Sequence, residues 1–177
     1  MKKIRLLIVL VILLGISFLS GCPQEPTAPV FLSVAITQPQ GQITCIQTSR
    51  DVPEPCSFEV TGTSTRVVSE PDVGIYVLLE PTRPSAGGFF IQLPPATVQS
   101  NGDWSATATL DDELIQVRNG AILNIEAVIA ERAGGIESQI NPVPNLADIP
   151  GILVQSDPVS LTVVVPTPTP IPTRRGR

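Results

Sequence analysis

Three cysteines, at positions 22, 45 and 56, have the most chemistry open to them in this 177-residue chain. Histidine is absent, and the two lysines, Lys2 and Lys3, stand at the very start. A hydroxyl nucleophile needs a neighbouring base, so the serines and threonines beyond that start have neither an imidazole nor an ammonium group to activate them. Histidine-ligated zinc and imidazole pH switches go with the same absence. Among the carboxylates, Asp111-Asp112-Glu113 is the one dense run. Paired acids can hydrolyse glycosides, but neighbours on an extended strand point to opposite faces, so the triplet reads better as a solvated turn. A weak calcium candidate uses Asp103, Asp111, Asp112 or Glu113 with carbonyl oxygens. Trp104 and Tyr76 could stack on sugar as an exposed platform, or fill a core that has only seven aromatics to draw on; core packing is the favoured reading. These residues point to a non-enzymatic protein with no catalytic residue, no cofactor and no firm metal site.

The elements around these residues begin with Met1-Lys2-Lys3-Ile4-Arg5, a cationic stretch that runs into the apolar residues Leu6 to Leu19. This is the pattern of a signal peptide. As a helix the apolar part reaches about 21 Å at ~1.5 Å per residue, short of a hydrocarbon core of ~30 Å. Leu19-Ser20-Gly21-Cys22 then resembles the lipobox of bacterial lipoproteins. The resemblance implies cleavage before Cys22, a diacylglyceryl thioether on its thiol and acylation (such as palmitate) of the new amino group. Two or three acyl chains hold a protein stably at a bilayer where one does not. An ordinary secretory signal and a short uncleaved anchor are the competing readings. Pro23 stands where an Asp would resemble an inner-membrane retention signal, so both the cell membrane and an outer membrane are open destinations. Either way the mature domain faces the extracytoplasmic side.

Removal of residues 1–21 leaves 8 basic against 16 acidic groups, a net of −8. Arg174, Arg175 and Arg177 sit in the tail, so the body is more acidic still. Such a body repels phosphates, which excludes nucleic acid as a partner and leaves the lipid on Cys22 to hold it at the membrane. With Cys22 lipidated, Cys45 and Cys56 form an even pair in an exported compartment, separated by ten residues rich in turn formers. A disulfide is expected.

Residues 22–30 are a Pro-rich tether, and residues 166–177 alternate Pro with Thr before a basic end, which favours extended polyproline II. That tail is a spacer, a wall contact through its arginines, or a solvated remnant. Between them, residues 31–165 show period-two alternation. Strands are expected over Leu32 to Thr37, Ile43 to Gln47, Cys56 to Thr63, Val73 to Glu80, Gly88 to Leu93, Gly102 to Leu110, Ala121 to Glu131 and Val159 to Val165. Trp104, Ala106, Ala108 and Leu110 share one face of their strand, and Leu123, Ile125, Ala127 and Ile129 should be buried against Asn124 and Glu126 outside. The fold class expected is all-β, a two-sheet antiparallel immunoglobulin-like sandwich of seven to eight strands. Residues 132–157 have little strand pattern and are long for a hairpin loop, so they form either a binding loop or a cap on the sandwich.

The run from Phe89 through Asn101-Gly102-Asp103-Trp104 to Leu110, with Ile36-Thr37-Gln38-Pro39-Gln40-Gly41 and Val60-Thr61-Gly62-Thr63-Ser64, resembles bacterial Ig-like modules of exported proteins. The chain departs from that pattern in the Cys45–Cys56 loop and in residues 132–157. The resemblance implies a spacer or an adhesion and binding unit without catalysis. The function expected is a lipid-anchored cell-envelope module that binds protein or envelope polymer, or spaces them. The alternative is an accessory substrate- or carbohydrate-binding lipoprotein that uses the 132–157 loop.

Overall fold

The computed structural model describes residues 32–46, 55–65, 72–83, 87–111 and 119–166. The signal segment 1–21, the tether with Cys22, Asp112, Glu113 and tail residues 167–177 lie outside them. The described chain is all-β, with two sheets packed around one main core. Its strands are β1 (Ser33–Gln38), β2 (Gly41–Thr44), β3 (Cys56–Thr65), β4 (Val73–Arg83), β5 (Phe90–Ile91), β6 (Thr97–Val98), β7 (Asp103–Leu110), β8 (Ile122–Glu131), β9 (Ile152–Gln155) and β10 (Val159–Val164). One sheet has the order β1-β3-β7-β6, and the other β2-β10-β8-β4-β5 with β9 also paired to β8.

The strand count exceeds the seven or eight expected, because the two-residue β6 and the four-residue β9 are too short to show a period. The antiparallel expectation is also corrected at one pair, since β2 runs parallel to β10. Pro39 cannot continue the β1 ladder, and Gly41, at φ 77°, turns the chain onto the other sheet without reversing its direction.

Inward positions follow the alternation. Val60, Ala108, Leu110, Leu123, Ile125, Ala127 and Ile129 are buried in the main core. Outward positions on β4 and β8 do not follow it. Tyr76, Leu78, Val128 and Ala130 point away from the main core yet are also buried, in a second apolar cluster with Ile136, Val143 and Ile149. These last three come from residues 132–157, which wind through three short 3-10 turns across the sheet's outer face. The segment is therefore a cap. Full burial of each large apolar side chain beneath it contributes about 1.5–3 kcal/mol. Asn141 fixes the cap to the β5 edge by acting as a strand would: Ile91 N donates to its Oδ1 at 2.9 Å, and its Nδ2 donates to Ile91 O at 3.1 Å.

β8 pairs with β10 along its first half and with β9 along its second. Ser156 fills the gap between the two partners and is the buried polar residue of the described chain. Its N–H donates to Ala127 O, while Ala127 N donates to its Oγ at 3.0 Å and that hydroxyl donates to Asp157 O. Ser156→Ala leaves the buried Ala127 N–H unpaired, so urea denaturation should show a loss of about 1–3 kcal/mol. An unchanged midpoint would contradict this account of the gap.

Candidate functional site

Among the described residues, none caps the outer face of the β1-β3-β7-β6 sheet. Register places Ser57 opposite Thr109, Glu59 opposite Thr107, Thr61 opposite Ser105 and Thr63 opposite Asp103. Every one of these outward positions is polar, because the alternation of β3 and β7 sends their apolar residues to the core. An open groove of about 430 Å³ crosses this face. Thr61, Thr63, Gln99 and Ser105 line it between the carboxylates of Glu59 and Asp103, and Gly62 and Trp104 complete its wall. Among the described residues, none that lines it is basic. Thr37 Oγ1 donates to Thr61 O at 3.1 Å and fixes one rim, and Asn101 Nδ2 donates to Asp103 Oδ2 at 2.7 Å at the other. Glu59 lies four residues from Thr63 on β3, about 13 Å at ~3.3 Å per residue, so the two carboxylates stand at opposite ends of the groove.

The residues singled out from sequence do not gather there. Cys45 and Cys56 form the expected disulfide, with a Cα–Cα distance of 5.4 Å, and both are buried. Trp104 is 2% exposed and Tyr76 fully buried, so neither forms a sugar platform. The Tyr76 hydroxyl donates to Glu137 Oε1 at 2.7 Å. Burial, then this hydrogen bond and the Glu137 charge, raise its proton affinity far above that of an ordinary phenol. Of the calcium candidates, Asp103 and Asp111 lie at opposite ends of β7, about 26 Å apart at ~3.3 Å per residue, so one ion cannot take both, and Asp112 and Glu113 lie outside the described residues. Among the described residues no group of three or more Cys, Asp or Glu could hold a metal.

No protein-family model and no curated protein matches this chain. Sequence reasoning missed the groove because its signal, two strands with wholly polar outward positions, becomes a site only once register sets Thr63 beside Asp103.

A second polar group lies on the outer face of the other sheet, beside the cap. Ser160 Oγ donates to Asn124 Oδ1 at 2.6 Å, and Asn124 Nδ2 donates to Glu80 Oε2 at 3.1 Å. The neighbouring Glu126 has a buried Oε2 with no hydrogen-bond partner. Burial first, and the Glu80 charge second, raise the pKa of the Glu126 carboxyl above its ordinary value. The folded state thus holds this proton more tightly than the unfolded chain, and stability falls as pH rises from the ordinary carboxylate value through the raised one. Glu126→Gln should melt at a higher temperature than the parent at pH 7, and the advantage should shrink to nothing on acidification below the ordinary carboxylate value. A variant less stable than the parent at pH 7 would reverse this reading.

Proposed function

We propose that this chain is a non-enzymatic, lipid-anchored module of the cell envelope, an immunoglobulin-like sandwich that carries binding surfaces away from a bilayer on its extracytoplasmic side. The strand orders support the immunoglobulin reading. On this reading β1, β3, β7 and β6 would correspond to strands A, B, E and D of one sheet, and β4, β8 and β10 to C, F and G of the other.

The observation that carries the spacer function is where the chain enters and leaves. β1 begins at Ser33 opposite Thr65, the last residue of β3. β10 ends at Val164, whose carbonyl accepts from Cys45 N beside the disulfide to Cys56, the first residue of β3. Entry and exit are thus a strand length apart, about 30 Å for the ten residues of β3. The two strand ends, at Ser33 and Val164, stand at opposite ends of the described domain. This is the arrangement of a spacer, whereas adjacent termini would suit a domain inserted in a loop.

Lipidation is tested by growing cells on a labelled fatty acid. The parent protein should carry the label and partition with detergent, and Cys22→Ser should do neither. Label-free parent protein in the membrane fraction would replace lipid with an uncleaved anchor. The loop-based carbohydrate reading loses its main support, because Ile136, Val143 and Ile149 of residues 132–157 are committed to the second core.

A further inference from the structure

We propose that the groove across the outer face of the β1-β3-β7-β6 sheet is a binding site for an oligosaccharide bearing free amino groups. The proposal rests on the reading of the chain as an envelope-polymer binding module and names the polymer's chemistry. Glu59 and the groove's other free side chains, Thr63, Gln99 and Ser105, have no hydrogen-bond or ion-pair partner among the described residues. Asp103 is held by Asn101 alone, an amide that leaves its charge uncompensated. Two carboxylates with no cationic partner among the described residues call for a cationic ligand, and their separation of about 13 Å along β3 is too great for a single metal ion to bridge with ligand distances of ~2.3–2.6 Å. The ligand is elongated and carries at least two positive groups.

What lies between the carboxylates narrows the class. Hydroxyls of Thr61, Thr63 and Ser105 and the Gln99 amide offer donors and acceptors in place of an apolar floor. An alkyl polyamine would leave them unpaired against methylene groups, at a loss for each buried polar atom. A basic peptide chain would bring backbone N–H and C=O groups to a sheet face whose own backbone groups are already spent in the β3·β7 ladder. A polyol with amino substituents matches both features at once. A neutral glycan lacks its usual partner, because Trp104 and Tyr76 are buried and present no ring for stacking.

The test is calorimetric titration of the full-length protein in detergent with a glucosamine tetramer, a fully N-acetylated tetramer and tetralysine. The glucosamine tetramer should bind, and raising salt from about 0.1 M to about 1 M should weaken it, because the screening length falls from ~10 Å to ~3 Å. The N-acetylated tetramer should bind roughly tenfold more weakly or worse, and Glu59→Gln with Asp103→Asn together should lower affinity for the glucosamine tetramer by a similar factor. Both side chains are exposed, so the variant should keep the parent melting temperature and show that the fold is intact. Absence of heat with the parent protein, undiminished binding by the double variant, or tetralysine binding as tightly as the glucosamine tetramer would each overturn the proposal. Failure here with fatty-acid labelling of Cys22 intact removes the ligand class and leaves the anchored-spacer reading standing.

Discussion

Replacing Cys45 and Cys56 together by Ala should lower stability by just under ~3 kcal/mol from loop entropy alone, which for a domain of this size is a fall of roughly 10 °C in melting temperature. The bridge closes a loop with a sequence separation of 11 residues. It also joins the two sheets, because Cys45 follows β2 in one and Cys56 opens β3 in the other. Cys45 is fully buried and Cys56 nearly so, and both belong to the main core. Two alanines there also remove apolar volume, which adds to the loss. Burial has a kinetic consequence as well: thiol reductants should reach the bond only after local opening, so reduction should be slow in buffer and fast in moderate urea. Thermal denaturation of the double variant beside the parent measures the first effect, and thiol alkylation against time measures the second. Two alkylatable thiols in the unreduced protein, or a melting temperature unmoved by the double substitution, would remove the bridge from the account.

How much of this was legible beforehand depended on whether one strand carried the information. The inward face of β8 was readable because Leu123, Ile125, Ala127 and Ile129 alternate with Asn124 and Glu126 over its first half. Its second half, Val128-Ile129-Ala130, is apolar on both faces, as is β4 from Gly74 to Leu79. Such a run says that both faces are covered and is silent on what covers them. The partners were Ile136, Val143 and Ile149, scattered through a segment without a period, and only the folded chain brings them onto Tyr76 and Leu78. β2 escaped its predicted direction for a related reason. The pattern of Ile43 and its neighbours shows an extended segment, while its pairing with Val163 of β10 is a contact across most of the chain. The groove stayed hidden longest. Its residues come from β1, β3, β7 and the turn before β7, and their outward polarity reads on each strand alone as ordinary solvation.

Gly62→Ala should be among the most damaging single substitutions in the domain, at about 3 kcal/mol, where Gly→Ala in an unconstrained strand gains roughly 0.5–1 kcal/mol. The sign is inverted by what lies over the glycine. Gly62 occupies an inward position of β3, two residues beyond Val60, and pairs directly with Trp104 of β7. A Cβ there would overlap the indole at Cζ2 and Cε2 on one side and the carbonyl oxygen of Ala35 on the other. The carbonyl belongs to β1, which is hydrogen-bonded to β3, so it cannot withdraw without opening that ladder. The indole cannot swing away either, because it is 2% exposed within the main core. Its buried Nε1 has no hydrogen-bond partner, so packing over Gly62 and the burial of a large aromatic surface must offset that unmade bond. Since Trp104 is the sole tryptophan, its emission reports on the site directly. In Gly62→Ala the spectrum should shift to the red and become accessible to quenchers as the ring is displaced. Truncating the ring should relieve the clash, so Gly62→Ala combined with Trp104→Leu should be more stable than the sum of the two single losses predicts, by ~1 kcal/mol or more. Additive losses, or a Gly62→Ala protein as stable as the parent with unchanged emission, would show that the indole does not need the glycine beneath it.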